Sequence, residues 1–338
     1  MEFKFTYQCN DCGKQIPAGG IVYVCPDCSA RQQPAQPPMG ILKVIYNPDF
    51  IKSQSFNDLK GNHFLDLLPL NNLQSLPFLK TGNTPLYRIS KLNGAGLKHT
   101  LLLKEDSQNP TFSFKDRASA VVSAFAKENG IGTIVAASTG NAGSSLAGMC
   151  AAQGQKAVIF VPAAAPKAKL TQILMYGAVL VPVDGNYDKA FDLSIEATRR
   201  FGWYNRNTAF NPLTIEGKKT VSFELYDQLN QHLPDRIFVP VGDGVIISGV
   251  YKGFEDLLNL GIIDRMPVIV SVQADGSSNV VDNLGKSVFR AIPSQTIADS
   301  ISVDIPRNFR MAADYLMKYN GETVKVSDAA ILQASAVL

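Results

Sequence analysis

Residues Lys104–Arg117 read KEDSQNPTFSFKDR, and the rest of the chain can be ordered around them. The apolar run Leu101–Leu103 before this stretch predicts a strand, and the pattern after it predicts a helix with Lys115 in its first turn. The free N–H groups and the dipole at a helix N-terminus disfavour an ammonium group. Lys115 is therefore expected to shift towards its neutral, nucleophilic amine. A solvated first-turn lysine is the alternative that this stretch alone leaves open.

The bulk composition indicates a globular protein. The chain has 338 residues, 46% of them hydrophobic and 18% charged, with a net charge of +3. This length supports about two domains with a sizeable core. The charge is too small to indicate a nucleic-acid or acidic membrane partner, and no apolar run reaches the roughly 18 residues of a membrane span. Because the N-terminus MEFKFTYQCN lacks a signal-peptide pattern, we expect a cytoplasmic protein.

Four of the five cysteines form two matched pairs near the N-terminus. Cys9-x-x-Cys12 and Cys25-x-x-Cys28 are separated by twelve residues. This spacing is typical of a tetrahedral Zn²⁺ site, and it predicts a zinc ribbon over residues 1–33. Paired disulfides and a redox-active CxxC are the alternatives. The ribbon carries few basic residues, which disfavours nucleic-acid binding.

Strand-like and helix-like segments alternate along most of the chain after Lys115. Strands separated by helices of 10 to 15 residues predict an α/β fold whose parallel sheet has helices on both faces. Ligands of such folds bind beyond the carboxyl ends of the strands. Before this region, a segment rich in Pro and Gln (RQQPAQPPMG) opens a predicted linker and N-terminal extension over residues 34–80.

Three strand-to-helix junctions are rich in small residues: the one before Lys115, Ser138–Asn141 and Gly242–Gly249. The backbone N–H groups of the glycine loop can surround a phosphate, although a tight turn without a ligand is the alternative. Ser138–Asn141 offers hydroxyl and N–H groups suited to a carboxylate, and an ordinary helix N-cap is the alternative there. The chain has no GxSxG elbow and no Walker lysine, which disfavours a serine hydrolase and an NTPase.

Together these junctions resemble those of fold-type II pyridoxal-phosphate enzymes, and most closely those of the threonine synthases. The resemblance extends from about residue 80 to the end, and a zinc ribbon also precedes this region in some members. The block Ser113–Arg117 (SFKDR) is the most specific match. The matching stretches in chain order are Gly82–Leu86, Asn109–Arg117, Ser138–Gly143, Glu216–Thr220 and the loop that begins at Gly242.

The resemblance implies an architecture and a cofactor. The fold would be α/β, with two open parallel-sheet αβα domains behind the ribbon. The catalytic region would cover residues 81–338, with a smaller mobile domain at roughly 118–210 inserted in the larger one. The cofactor would be pyridoxal 5'-phosphate, the substrate a small amino acid, and the assembly a homodimer.

The resemblance also implies a role for each site residue. Lys115 would hold the cofactor as an internal aldimine and later move protons. Asn141 would contact the ring hydroxyl, and the cofactor's phosphate would be held by Gly242, Asp243, Gly244, Val245 and Ile246. The α-carboxylate of the substrate would be received by Ser138, Thr139 and Gly140. In threonine synthases the substrate is O-phospho-L-homoserine, which is converted with water to threonine and phosphate.

The chain departs from the threonine synthase pattern at the substrate's phosphate. The family grips this group with an Asn-Ser pair and an Arg, and the matching positions here hold Thr208 and Ala209 at the pair and Thr214 at the Arg. We take Thr208 and Thr214 as candidate substrate contacts. Lys218 or Lys219 is a candidate replacement for the lost charge, although both are expected on a solvated helix face.

These departures keep other functions open. A threonine/serine dehydratase or a diaminopropionate ammonia-lyase needs no phosphate grip and is the enzyme alternative. A nucleic-acid-binding zinc-ribbon protein is the non-enzyme alternative. In the family a further segment follows the helix predicted from Asp328 onwards and brings a Ser or Thr to the ring nitrogen. We therefore expect either a truncated chain with exposed apolar surface or another contact to that nitrogen.

Overall fold

A computed structural model describes residues 2–53 and 55–337, without the side chain of Lys169. Within these ranges no helix combines the length and the apolar character needed to cross a membrane.

The strands are β1 (Phe5–Cys9), β2 (Gln15–Pro17), β3 (Leu42–Tyr46), β4 (Leu86–Leu92), β5 (Ala95–Lys104), β6 (Thr133–Ala137), β7 (Lys156–Pro162), β8 (Val179–Val183), β9 (Tyr204–Asn205), β10 (Arg236–Pro240), β11 (Val268–Ala274) and β12 (Glu322–Val326). The helices are α1 (Pro26–Ser29), α2 (Phe56–Gly61), α3 (Lys115–Glu128), α4 (Asn141–Gln153), α5 (Lys167–Met175), α6 (Tyr187–Phe201), α7 (Leu213–Lys218), α8 (Thr220–Gln228), α9 (Val245–Asn259), α10 (Asn279–Asn283), α11 (Phe309–Lys318) and α12 (Asp328–Val337).

Two parallel sheets form the larger part of the molecule. One has the strand order β8-β7-β6-β9 and the other the order β10-β11-β12, and every strand pair within them is parallel. Strands β4 and β5 form a separate antiparallel hairpin. The α/β fold with two parallel sheets behind a small N-terminal sheet is therefore confirmed. The predicted domain boundaries stay predictions.

The N-terminal sheet includes a strand, β3, that lies in the predicted linker and N-terminal extension over residues 34–80. Its order is β2-β1-β3, and β3 pairs antiparallel with β1, so that Cys9 lies opposite Leu42. Alternate residues of both strands are buried, as the two-residue period of a strand requires. These buried residues join one hydrophobic core that continues to Ile134 of β6 and Val239 of β10.

The turn before α3 is fixed by a buried carboxylate. Asp116 accepts hydrogen bonds from the backbone N–H of Thr111 at 2.7 Å and from the Thr111 hydroxyl at 2.5 Å. Asp116 itself is fully buried. Since these two bonds close the segment Thr111–Asp116 on itself, they set where α3 begins and hence the position of Lys115.

The first turn of α3 is also held by a buried ion-pair network around Arg117. The fully buried guanidinium donates to Asp106 at 2.6 and 2.9 Å and to Glu224 at 2.6 and 2.8 Å. Lys104, at the end of β5, forms a further ion pair with Glu224 at 2.8 Å. Arg117 thereby ties α3 to the segment that follows the hairpin and to α8.

We expect Arg117→Gln to lower the free energy of unfolding by about 3–5 kcal/mol, because it leaves two desolvated carboxylates short of their partner. Urea denaturation followed by circular dichroism measures this change. Arg265 is exposed, so the control Arg265→Gln is expected to change stability by less than about 0.5 kcal/mol. Equal losses in the two variants would contradict the role given to the network.

The network also makes stability depend on pH. Burial raises the pKa of Glu224, but the hydrogen bonds and charge of Arg117 outweigh this effect and hold that pKa at about 2. Because the folded pKa lies below the unfolded one, this stabilisation is present above about pH 4.5 and is lost as the pH falls towards 2.

We therefore expect the stability difference between wild type and Glu224→Gln to shrink as the pH is lowered from about 6 to about 2. Denaturation curves at a series of pH values measure it. The matched control is Glu196→Gln, whose carboxylate is exposed and which should show a small difference at every pH. A pH-independent effect of Glu224→Gln would sink this account.

Candidate active site

A cleft of about 1250 Å³ opens where strands of the two parallel sheets end. It is lined by Ser138, which follows β6, by Arg206, which follows β9, and by Val241, which follows β10. Lys115, the first residue of α3, lines it as well. The cleft therefore lies at the carboxyl ends of the strands, where ligands of parallel α/β folds bind.

The structure brings most of the predicted site residues together in this cleft. Thr214 is the exception, because it is buried in α7 with its hydroxyl donating to the Asn211 carbonyl at 2.8 Å. The predicted residues that line the cleft are Lys115, Ser138, Thr139, Gly140, Asn141, Thr208, Gly242, Asp243, Gly244, Val245 and Ile246.

The environment of Lys115 disfavours its charged ammonium form. Its ammonium group joins no ion pair within the described residues, and its backbone N–H donates to the Ser113 hydroxyl at 3.1 Å. Burial lowers the pKa of Lys115, the Arg206 guanidinium lowers it further, and the Asp243 carboxylate opposes both. The direction matches the expectation from sequence, although burial and Arg206 are the causes rather than the helix terminus alone.

The glycine loop leads directly into α9. Gly244 is the N-cap residue of this helix, with a φ of +82° and no side-chain cap. This left-handed conformation is one that glycine adopts without strain. Asp243 is tied to the segment before α11, since its carboxylate accepts from the Arg307 N–H at 3.1 Å. The uncapped N–H groups of the first turn of α9 thus lie at the cleft wall.

The junction after β6 has the same character. Gly140 is the N-cap residue of α4 and makes no side-chain cap, so the alternative of an ordinary Ser, Thr or Asn cap does not describe this helix. The Ser138 hydroxyl instead accepts from the Gly140 N–H at 3.2 Å. The N–H groups of Asn141 and Ala142, at the start of α4, are therefore available to an anion, whereas that of Gly143 donates to the Gly140 carbonyl at 2.9 Å.

An ion pair joins two sides of the cleft. Arg307, before α11, donates to Asp188 in the first turn of α6 at 2.5 Å. Its guanidinium also lies 3.8 Å from the ring centroid of Phe191. All three residues line the cleft. This contact connects the helix that follows β8 to the segment that holds the glycine loop.

The expectation that Lys218 and Lys219 lie on a solvated helix face is wrong. Both are buried, because the short helix α7 packs between α3 and α9. Lys219 is paired with Glu216, and with Asp256 at 2.7 Å. Lys218 instead lines the cleft. Its pKa lies well below the ordinary value because of burial and the charges of Arg206 and Lys115.

Arg206 is a cleft residue that the sequence analysis missed. It is fully buried, and burial lowers its pKa to about 10. The stretch that matches the family's phosphate-binding residues begins at Asn207, one residue after Arg206. A basic residue directly after a strand was the available signal, but β9 has only two residues and its end was not recognised.

Comparisons with known proteins agree with these features. Residues 78–338 match the model of the family described as "Pyridoxal-phosphate dependent enzyme". The chain is 35% identical to the threonine synthase of Methanocaldococcus jannaschii, over 98% of this chain and 81% of that protein. It is 33% identical to the threonine synthase of Methanosarcina acetivorans, over 98% of this chain and 80% of that protein.

Solved structures with the same fold are more distant in sequence. The serine racemase from Dictyostelium discoideum aligns with a TM-score of 0.64 at 21% identity, over 83% of this chain and 84% of that one. The diaminopropionate ammonia lyase from Escherichia coli aligns with a TM-score of 0.62 at 18% identity, over 84% of this chain and 74% of that one. At these identities the likeness shows the fold alone.

Proposed function

The chain belongs to the pyridoxal-phosphate-dependent enzymes, with threonine synthases as its near-full-length relatives, and we propose that it is itself a threonine synthase. It would convert O-phospho-L-homoserine and water to L-threonine and phosphate. The observation that carries this proposal is the position of Lys115. Its amine lines one cleft together with the uncapped N-termini of α4 and α9.

The residues of the cleft fit pyridoxal 5'-phosphate. Lys115 would hold it covalently through Nζ, and Asn141 would contact the ring hydroxyl. The backbone of Gly242–Ile246 would hold its phosphate, since the start of α9 carries no side-chain cap that competes for the N–H groups. When bound, the cofactor supplies an electron sink that stabilises negative charge on the substrate.

The protein's own groups would bind the substrate and move its protons. The N–H groups and hydroxyls of Ser138–Gly140 would hold the α-carboxylate at the start of α4. Lys115 Nζ would accept the proton from the substrate's Cα, a role favoured by a pKa lowered through burial. A proton would also leave Cβ, the bond from Cγ to the phosphate oxygen would break, and phosphate would depart. Water would then add its hydroxyl group at Cβ, and protons would return to Cγ and Cα.

An α,β-eliminase is the second candidate function, either a threonine/serine dehydratase or a diaminopropionate ammonia-lyase. Thr214 favours it, because this residue takes the position of the family's Arg and lies outside the cleft lining. An eliminase needs no group to bind the substrate's phosphate. The two candidates differ in their products, which makes them separable by assay.

We expect purified protein to release phosphate from O-phospho-L-homoserine in equal amount with threonine, and to form little keto acid from threonine. Lys115→Ala should lower kcat/KM by about 10²–10⁴-fold, because the proton-transfer group is lost. Lys156 is exposed at the start of β7, so Lys156→Ala serves as the control. Keto acid from threonine without phosphate release would favour the eliminase.

We also propose that the four N-terminal cysteines bind a structural Zn²⁺. Their sulfur atoms all lie within 4.8 Å of one another, and those of Cys12 and Cys25 are 3.9 Å apart. A tetrahedral site with Zn–S distances of about 2.3 Å has S–S edges of about 3.8 Å, which fits this arrangement. Arg31 donates to Cys28 Sγ at 3.2 Å, as outer groups around thiolate ligands often do.

Metal analysis is expected to find about one zinc per wild-type chain and much less in Cys9→Ser. The melting temperature of Cys9→Ser should fall as well, because metal binding contributes to folding. Cys150→Ser is the matched control, since Cys150 is a buried cysteine outside this cluster. Equal zinc in wild type and Cys9→Ser would count against the site.

The location, assembly and domain motion of the protein are also proposed from its similarity to threonine synthases. We propose a cytoplasmic homodimer in which a smaller domain, at roughly residues 118–210, moves against the larger one. The similarity to threonine synthases supports this proposal. The low net charge supports the absence of a nucleic-acid partner.

A further inference from the structure

The chain pairs most of its buried basic residues with carboxylates. Arg117 is paired with Asp106 and Glu224, Lys219 with Glu216 and Asp256, and Lys252 also with Asp256. Two others among the described residues lack such a partner. The fully buried basic residues are Arg117, Arg206, Lys218, Lys219 and Lys252.

Two hydrogen bonds hold Arg206 in place, and its Nη2 donors have no partner among the described residues. Its Nε donates to the Ser119 hydroxyl at 3.1 Å and its Nη1 to the Thr208 hydroxyl at 2.8 Å. Its Nη2 is buried and has no hydrogen-bond partner within the described part of the chain. The guanidinium is thus oriented by two neutral hydroxyls, and no carboxylate of the described residues forms a hydrogen bond with it.

Lys218, the last residue of α7, is likewise a buried basic residue without a carboxylate partner among the described residues. Only 1% of the residue is exposed, and its Nζ has no hydrogen-bond partner among the residues that the structure describes. Its stem packs against α9, where a Cβ on Gly249 would lie 2.7 Å from Lys218 Cβ. The side chain is almost completely buried, and both Lys218 and Arg206 line the cleft.

Two carboxylates act electrostatically on these basic residues, Asp116 on Arg206 and Asp243 on Lys218. Both carboxylates form hydrogen bonds with other groups. Asp116 accepts both of its hydrogen bonds from Thr111, and the Asp243 carboxylate accepts from the Arg307 N–H. Burying a charge without a partner is costly, and removing the partner of a buried pair has the same consequence. A binding cleft is where such a cost is recovered, because an anionic ligand supplies the partner.

We propose that Arg206 and Lys218 form a subsite for a phosphate monoester dianion, and that this phosphate is the one that the amino-acid substrate carries. The proposal rests on the proposed function, because a threonine synthase takes a phosphorylated substrate. A guanidinium and an ammonium group together offer several charge-assisted hydrogen bonds to phosphate oxygens. Arg206 and Lys218 thus supply the positive charge that the family's Arg provides and that Thr214, at the matching position, does not.

The cofactor's phosphate is the other possible source of the dianion. Its proposed place is the start of α9, where the backbone of Gly242–Ile246 offers N–H groups without a side-chain cap. The pair belongs to other elements, the end of β9 and the helix α7. Thr208, which Arg206 contacts, occupies a position where the resemblance implies a contact to the substrate's phosphate.

The test uses holoenzyme, in which the cofactor's phosphate is already seated, with inorganic phosphate as the probe. We expect phosphate to raise the melting temperature of wild type in a concentration-dependent way, and Lys218→Met to abolish this response. The same substitution should raise KM for O-phospho-L-homoserine at least tenfold. Arg206→Lys should retain part of both effects, because it keeps the charge.

Two control variants separate a ligand role from a structural one. Without phosphate, Lys218→Met should keep or raise the melting temperature, since it removes an uncompensated buried charge. Lys219→Met should lower it, since it strands Glu216 and Asp256. Lys156→Met, at an exposed lysine, is the control if Lys219→Met does not fold. Lys156→Met should keep the phosphate response and the KM of wild type.

The outcomes distinguish the subsite from the function. If Lys218→Met retains the phosphate response and the KM of wild type, the subsite is refuted while the synthase function stands. If wild type releases no phosphate from O-phospho-L-homoserine but still binds inorganic phosphate through Lys218, the function fails and the anion site stands. If Lys218→Met instead loses affinity for pyridoxal 5'-phosphate, measured by absorbance titration, the pair serves the cofactor and the proposal is overturned.

Discussion

The buried guanidinium of Arg117 is the contact on which the geometry of the cleft depends. Arg117 lies two residues beyond Lys115, and its guanidinium joins α3 to Asp106 after the hairpin and to Glu224 on α8. A buried ion pair adds little net stability, but it tolerates few alternative arrangements, because each misplaced partner would leave a desolvated charge. The network therefore fixes the start of α3, and with it the position of Lys115.

The same rule explains how the chain distributes charge. Where a basic residue serves the fold, as Arg117 and Lys219 do, a carboxylate lies within hydrogen-bond distance. Arg206 and Lys218 break this pattern, and both line the cleft. Burial lowers the pKa of Lys115, and the uncompensated charge of Arg206 lowers it further because it disfavours the ammonium form. The requirement for an anion and the activation of the lysine thus have a common electrostatic origin.

Sequence reasoning succeeded where the chemistry is local. The order of strands and helices and the two cysteine pairs depend on neighbours in the chain, and each was predicted from a short pattern. It failed where burial depends on distant elements. Lys218 and Lys219 looked solvated because the covering of α7 by α3 and α9 is a tertiary feature. The strand β3 lies in the predicted linker and N-terminal extension, and it was not recognised because its partner β1 lies more than thirty residues earlier.

The N-terminal segment between β2 and β3 is also connected to the cleft, through Tyr23. Its hydroxyl accepts a hydrogen bond from the Asn205 N–H at 2.8 Å, and its ring stacks on Phe210 with centroids 4.6 Å apart. These contacts bracket Arg206 and Thr208 on both sides along the chain. Since Tyr23 lies two residues before Cys25, the segment that carries the cysteine cluster also contacts the loop that contains Arg206. The small N-terminal unit is therefore part of the wall that binds the substrate in the proposed function.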